Sequence, residues 1–142
     1  MWQVKKILVP TDGSDMAKLA IDADLEIAKQ NGAEVLALYV IDIPHRFSAH
    51  RLEGQMRSDL AEPAVNAVVS AGEKAGLKVT ALIELGHAAD AIVSIADREN
   101  IDLIVMGTRG TSIMKKLLIG LGSNASAVIA HAHCSVLAVR EK

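Results

Sequence analysis

The chain has 142 residues, a formal net charge of −2 and one cysteine, Cys134. That length suits one ordinary domain over residues 1–142, long enough to bury about 70% of its unfolded surface without staples. The charge argues against a nonspecific nucleic-acid binder. A lone cysteine excludes an internal disulfide and fits a reducing compartment.

Hydrophobic residues make up 51% of the chain, yet only Trp2, Tyr39 and Phe47 are aromatic. The interior is therefore expected to be built from Ala, Val, Ile, Leu and Met. Met1–Lys6 carries no apolar stretch of the secretory kind. The longest apolar run, Val35–Ile41, is far short of the ~20 residues that span a bilayer. A cytoplasmic protein with no membrane partner is the expectation.

In chain order, Lys6-Ile7-Leu8-Val9-Pro10 reads as a short strand, closed by the turn cluster Thr11-Asp12-Gly13-Ser14. Met16, Leu19, Ala20, Ala23 and Ile27 then share one helical face, with Ser14 or Asp15 as the cap and Gly32 as the stop. Glu34–Ile41 is a second strand. His45–Arg57 is polar and mixed and reads as a loop before a helix from about Leu52 to Ala75, broken near Pro63. Leu77–Leu85 is a third strand. Ala89, Ile92, Val93 and Ala96 mark a helix ending near Asn100. Asp102–Met106 is a fourth strand, apolar enough to be covered on both faces. A glycine-rich loop runs from Gly107 to Ser123. Ala125, Val128, Ile129 and Ala132 give one more helical face, and Ser135–Val139 is the last strand.

Strands alternating with helices predict an α/β, doubly wound, Rossmann-like domain with a five-stranded parallel sheet. Ligands of such sheets bind beyond the carboxyl ends of the strands, where the winding reverses. That rule selects the segments beginning at Pro10, Val40 and Gly107. The last is also distinct in charge: 16 of the 17 acids lie at or before Asp102 and the other is Glu141, so Leu103–Arg140 has no carboxylate. Arg109, Lys115 and Lys116 lie within it. Glycines that admit a ligand, basic side chains and the N–H groups of a helix opened by Gly122-Ser123-Asn124-Ala125 suit phosphate. A solvated basic loop is the alternative.

Other chemistries fare worse. No Gly-Lys pair occurs, which excludes a P-loop. Gly120-Leu-Gly122-Ser-Asn-Ala125 fits G-x-G-x-x-A loosely, but no tight turn precedes it and no βαβ unit follows. His131, His133 and Cys134 offer only three ligands, pointing different ways across a helix end, so zinc is disfavoured. No nucleophile can be paired with a base, and neither G-x-S-x-G nor H-E-x-x-H occurs. Asp12, at the end of the first strand, suits a ribose hydroxyl or a divalent metal; equally it suits a turn.

Taken together, Lys6-Ile-Leu-Val-Pro-Thr-Asp-Gly-Ser14, Tyr39-Val-Ile-Asp42, Asp102-Leu-Ile-Val-Met-Gly-Thr-Arg-Gly110 and Gly122-Ser123 leading to Cys134-Ser-Val-Leu-Ala-Val139 resemble the universal stress proteins. The resemblance covers essentially the whole chain and implies the nucleotide-binding branch, which carries G-x2-G-x9-G-[ST]. Here nine residues after Gly110 lead to Gly120-Leu121, and Gly122-Ser123 supplies the pair after eleven, so two residues are inserted. Ser135 stands where the family usually has proline. The resemblance implies an ATP-binding homodimer acting in stress regulation, with slow hydrolysis at most. It puts Pro10, Thr11 and Asp12 near ribose and Mg2+ or Mn2+, with Asp12 as the metal ligand, and Val40 at the adenine. It puts Gly107, Arg109, Gly110, Gly122, Ser123 and Asn124 around the phosphates, with Met106, Thr111 and Ala125 as further nucleotide-binding residues. Two alternatives stay open: an adenine-nucleotide-processing enzyme of the related α-hydrolase-like superfamily, and a protein-interaction dimer with a weakened or AMP-type site. The apolar last strand, at an expected sheet edge, suits antiparallel pairing in the dimer.

Overall fold

The computed structural model describes residues 2–42, 49–108 and 123–140, with backbone alone for residues 49–51 and 123. Five strands form one parallel sheet: β1 (Lys6–Pro10), β2 (Glu34–Ile41), β3 (Val79–Leu85), β4 (Leu103–Gly107) and β5 (Ser135–Val139), in the order β3-β2-β1-β4-β5. The chain winds from β1 out to β3 and then returns to start again at β4. The reversal therefore falls between β1 and β4, the doubly wound pattern expected of a Rossmann-like sheet.

Helices cover both faces. Helix α1 (Asp15–Asn31) and α3 (Glu62–Lys74) pack over Ile7, Val9, Val35, Ala37, Leu103 and Val105. Helices α4 (Ala88–Arg98) and α5 (Ser123–His131) cover Leu8, Leu36, Leu38, Ile104 and Met106 on the other side. Alternate residues of each central strand thus enter opposite cores, which is why these strands read as unbroken apolar runs. Ile7, Leu8, Leu38 and Ile104 are fully buried, each a contribution of roughly 1.5–3 kcal/mol.

Helix α1 begins and ends where its caps dictate. Ser14 Oγ accepts from Ala17 N–H at 3.1 Å, and Gly32 closes the last turn at φ 62° in the left-handed region. Its buried face differs from the apolar stripe read in the sequence. Ala17, Ala20, Asp24 and Ala28 face the sheet, while Leu19 is 40% exposed. The helix lies too close to the strands for large side chains on its central line, so small residues take it and larger ones flank it. Likewise Ile129 of α5 turns outward, leaving Ala125 and Val128 as the buried pair.

The region before α3 also departs from expectation. Helix α2 (Ala49–Met56) starts inside the expected loop, and a π-helical turn (Arg57–Ala61) joins it to α3 without a break. Pro63 lies in the first turn of α3, where its missing N–H costs little. The wide turn just before it, closed by Glu62 N–H donating to the Arg57 carbonyl, relieves the crowding a proline ring brings to the preceding turn. Strand β3 starts two residues late because Leu77 N–H still donates to the Gly72 carbonyl of α3 at 2.9 Å. Strand β4 starts at Leu103 and reaches Gly107; Asp102, expected in the strand, instead clamps its lower end.

Candidate functional site

At the reversal point β1 and β4 run side by side and their onward connections diverge, one to α1 and the other toward α5 on the opposite face. The divergence opens a crevice with a cavity of about 100 Å³. Its floor is made by the two strand ends. Thr11 N–H donates to the Leu38 carbonyl at 2.8 Å, carrying the β1–β2 ladder one residue past Pro10. Next comes a chain of side-chain caps. Thr11 Oγ1 accepts from Gly13 N–H at 3.2 Å, Asp12 Oδ1 from Ser14 N–H at 2.9 Å, and Ser14 Oγ from the first turn of α1. Gly13, at φ 80°, takes the left-handed conformation this turn requires. These bonds fix the direction in which strand becomes helix, and Asp12 remains exposed at the rim.

On the β4 side, Gly107 abuts the start of α1. A Cβ there would lie 3.0 Å from the Met16 carbonyl oxygen and 3.1 Å from its carbon, so only glycine lets the helix sit this close. Thr108 follows, buried, its N–H donating to the Val139 carbonyl at 3.3 Å and tying the end of β4 to the end of β5.

The lining divides by character. Leu38 and Val40 of β2, Ala88 and Ile92 of α4, and Met106 make an apolar side; Thr11, Asp12, Ser14, Thr108 and Asn124 make a polar one. The polar side includes residues from the starts of α1 and α5, and the N-terminal end of a helix favours an anion. An apolar slot opening onto N–H donors and hydroxyls suits a ligand with a flat apolar body and an anionic tail.

Of the residues singled out in the sequence, Pro10, Thr11, Asp12, Val40, Met106, Gly107, Asn124 and Ala125 all line this crevice. Ser123 opens α5. Arg109, Gly110, Thr111 and Gly122, with Lys115, Lys116, His45 and Arg46, lie outside the described residues. Sequence reasoning missed Ser14, Ala17, Leu38, Ala88, Ile92 and Thr108. Ala88 and Ile92 belong to α4, which begins directly after the turn at Gly86, where Gly86 N–H donates to the Ile41 carbonyl at 3.0 Å; no pattern in the residues marks that turn of the helix as facing β2. Asp42 is not part of the lining; it pairs with His87 at 3.5 Å. Nor do His131, His133 and Cys134 form a metal cluster: none is found among the described residues, and His133 Nδ1 lies 3.0 Å from Asp97.

The model of the universal stress protein family matches residues 3–140. The chain belongs to the universal stress protein family. Universal stress protein MJ0531 of Methanocaldococcus jannaschii is 38% identical over 96% of this chain and 82% of its own. The solved structure of universal stress protein UspA from Lactobacillus plantarum superposes with a TM-score of 0.83 at 29% identity, covering 97% of this chain and 99% of that one. Another solved universal stress protein, in complex with cAMP, matches with a TM-score of 0.72 at 26% identity, over 95% and 96% of the two chains.

Burial, with a further push from Asp12, holds the Tyr39 hydroxyl above its usual range, so it stays a neutral neighbour of the rim carboxylate. Burial likewise raises the Cys134 thiol, which makes it a poor nucleophile. Among the described residues Asp12 is the one carboxylate in the lining. A single carboxylate fits Mg2+ or Mn2+ only if phosphate and water supply the other oxygens, which is the usual habit of Mg2+ at nucleotide sites. Among the described residues no helix is long and apolar enough to cross a membrane.

Proposed function

We propose that this universal stress protein is an adenine-nucleotide-binding regulatory module, with ATP as its ligand. The observation that carries the reading is the split lining of the crevice at the strand reversal. In it the base lies against Leu38, Val40, Ala88 and Ile92, and Val40 meets the adenine edge through its backbone. The ribose sits by Pro10, Thr11 and Asp12. The phosphates run past Gly107 toward the N–H groups of Ser123, Asn124 and Ala125; Arg109, Gly110, Thr111 and Gly122 complete the nucleotide-binding set that the family resemblance implies. Asp12 would hold Mg2+ or Mn2+, whose chemistry there is to neutralise phosphate charge.

The family membership and the cAMP complex of a relative support the adenine part of this reading. That same relative favours a second one, a site for a single phosphate of the AMP type. Heat-denaturing the purified protein and identifying the released nucleotide by mass spectrometry separates them, together with calorimetric titration of ATP and AMP. ATP released, and ATP tighter than AMP in the presence of Mg2+, supports the first reading; AMP tighter than ATP supports the second. Rapid turnover of ATP to AMP and pyrophosphate would instead indicate a nucleotide-processing enzyme. No binding of either would reduce the protein to an interaction module.

The module acts as a cytoplasmic homodimer through β5. This strand is an edge of the sheet, Ser135–Val139 carries no charge, and Leu137 is 39% exposed. An apolar unpaired edge invites an antiparallel copy of itself. Analytical ultracentrifugation should show a dimer that Leu137→Lys dissociates; a wild-type monomer at tens of micromolar concentration would count against it.

A further inference from the structure

Asp24 stands in the middle of the buried face of α1, between Ala20 and Ala28, and is completely inaccessible to solvent. Neither carboxylate oxygen has a hydrogen-bond partner. The elements packed against α1 are β1, β2, β4 and β5, and α3 comes near through Gly72 and Leu25. Strands β4 and β5 carry no ionisable side chain. On β1, Lys6 is engaged with Glu99 at 3.6 Å; on β2, Glu34 is engaged with Lys78 at 3.8 Å, and Tyr39 feels Asp12. The ionisable residues of α3 (Glu62, Glu73 and Lys74) are exposed, as are Asp15, Lys18, Asp22, Glu26 and Lys29 of α1 itself. No described cation therefore compensates a charge at Asp24.

We propose that Asp24 is a proton-binding site in the core: the packed state of α1 requires the neutral carboxylic acid, and loss of that proton loosens the helix from the sheet. An ionised carboxylate stripped of water and of partners is far costlier to bury than a neutral acid. Burial alone raises this group from 3.8 to about 7. The sign follows. Below about pH 4 both folded and unfolded chains hold the proton and Asp24 contributes no pH dependence. Between there and pH 7 the unfolded chain releases it while the folded chain retains it, so stability falls as pH rises and levels off once the folded state also ionises. The gap corresponds to a change in the folding constant on the order of 10³-fold.

The test compares wild type with Asp24→Asn, which keeps shape and polarity but cannot titrate. Chemical denaturation between pH 4 and 8 should show the wild-type folding constant dropping by ~10²–10³-fold relative to the variant as pH rises. The histidine pairs with Asp42 and Asp97 are common to both proteins and cancel in the difference. Carboxyl carbon NMR of wild-type protein reads Asp24 directly and does not depend on the variant folding. A midpoint near 7, with amide protection factors in α1 (exchange corrected for the intrinsic pH dependence) lower above it than below, supports the proposal. A midpoint near 4, or parallel stability curves for the two proteins, overturns it.

Discussion

The two ends of the sheet cap their backbone in the same way but differ in the space they leave beyond the strands. At the amino end, Asp102 Oδ2 accepts from the N–H groups of Lys5 and Lys6 at 2.9 and 3.0 Å, and the Lys6 carbonyl accepts from Asp102 N–H at 2.9 Å. The chain stitches itself shut there. At the carboxyl end the strands part at the reversal, and hydroxyls and helix N-termini line an open crevice. Both ends tie polar groups to the chain itself, but at the carboxyl end the capping side chains of Thr11, Asp12 and Ser14 also line a cavity. The closed end serves stability, and the open end is the one with room for a ligand.

That contrast can be broken by mutation. Gly107→Val should have the largest effect, since the new side chain meets the backbone of Met16 rather than a movable tip. A loss of roughly 3 kcal/mol of stability is expected, with ATP affinity falling at least tenfold in calorimetry as the first turn of α1 is displaced. Asp102→Ala should cost about 2 kcal/mol by leaving two N–H groups without their acceptor, measured by urea denaturation. It should leave ATP affinity unchanged. Equal losses of binding and stability in this variant would mean that the two ends are not independent. Asn124→Ala, at the open end, should do the reverse: ATP binding weaker by about 1 kcal/mol and a melting temperature close to wild type. Smallest of all, His133→Ala removes an exposed pair with Asp97, away from both ends, and should shift stability by less than about 1 kcal/mol.

Much of this was legible before any coordinates. The runs Lys6–Pro10, Glu34–Ile41 and Ser135–Val139 are observed as strands with the bounds read from the residues, because apolar runs this short, the first two closed by Pro10 and Asp42, have few other ways to fold. The crevice between the ends of β1 and β4 follows from alternation and handedness alone. Less visible was its apolar wall. Ala88 and Ile92 come from a helix one crossover away, and no local pattern announces which turn of α4 faces β2. Pro63 misled for a related reason: a proline's effect depends on the turn before it, and the π-helical turn at Arg57–Ala61 has no marker in composition.

The sequence by itself determined the alternation of elements, their parallel sheet, the place where the winding reverses and the family to which the chain belongs. The first three rest on local spacing and on rules of chain handedness, and the family rests on the motifs that resemble it. Only the tertiary structure decided which line of α1 meets the sheet, and with it the burial of Asp24 and the exposure of Leu19. Periodicity finds an apolar stripe to within a residue or so. The line that is buried depends on how closely two elements approach, and that distance belongs to the pair: to Gly107 and the Met16 backbone together, not to either segment read alone.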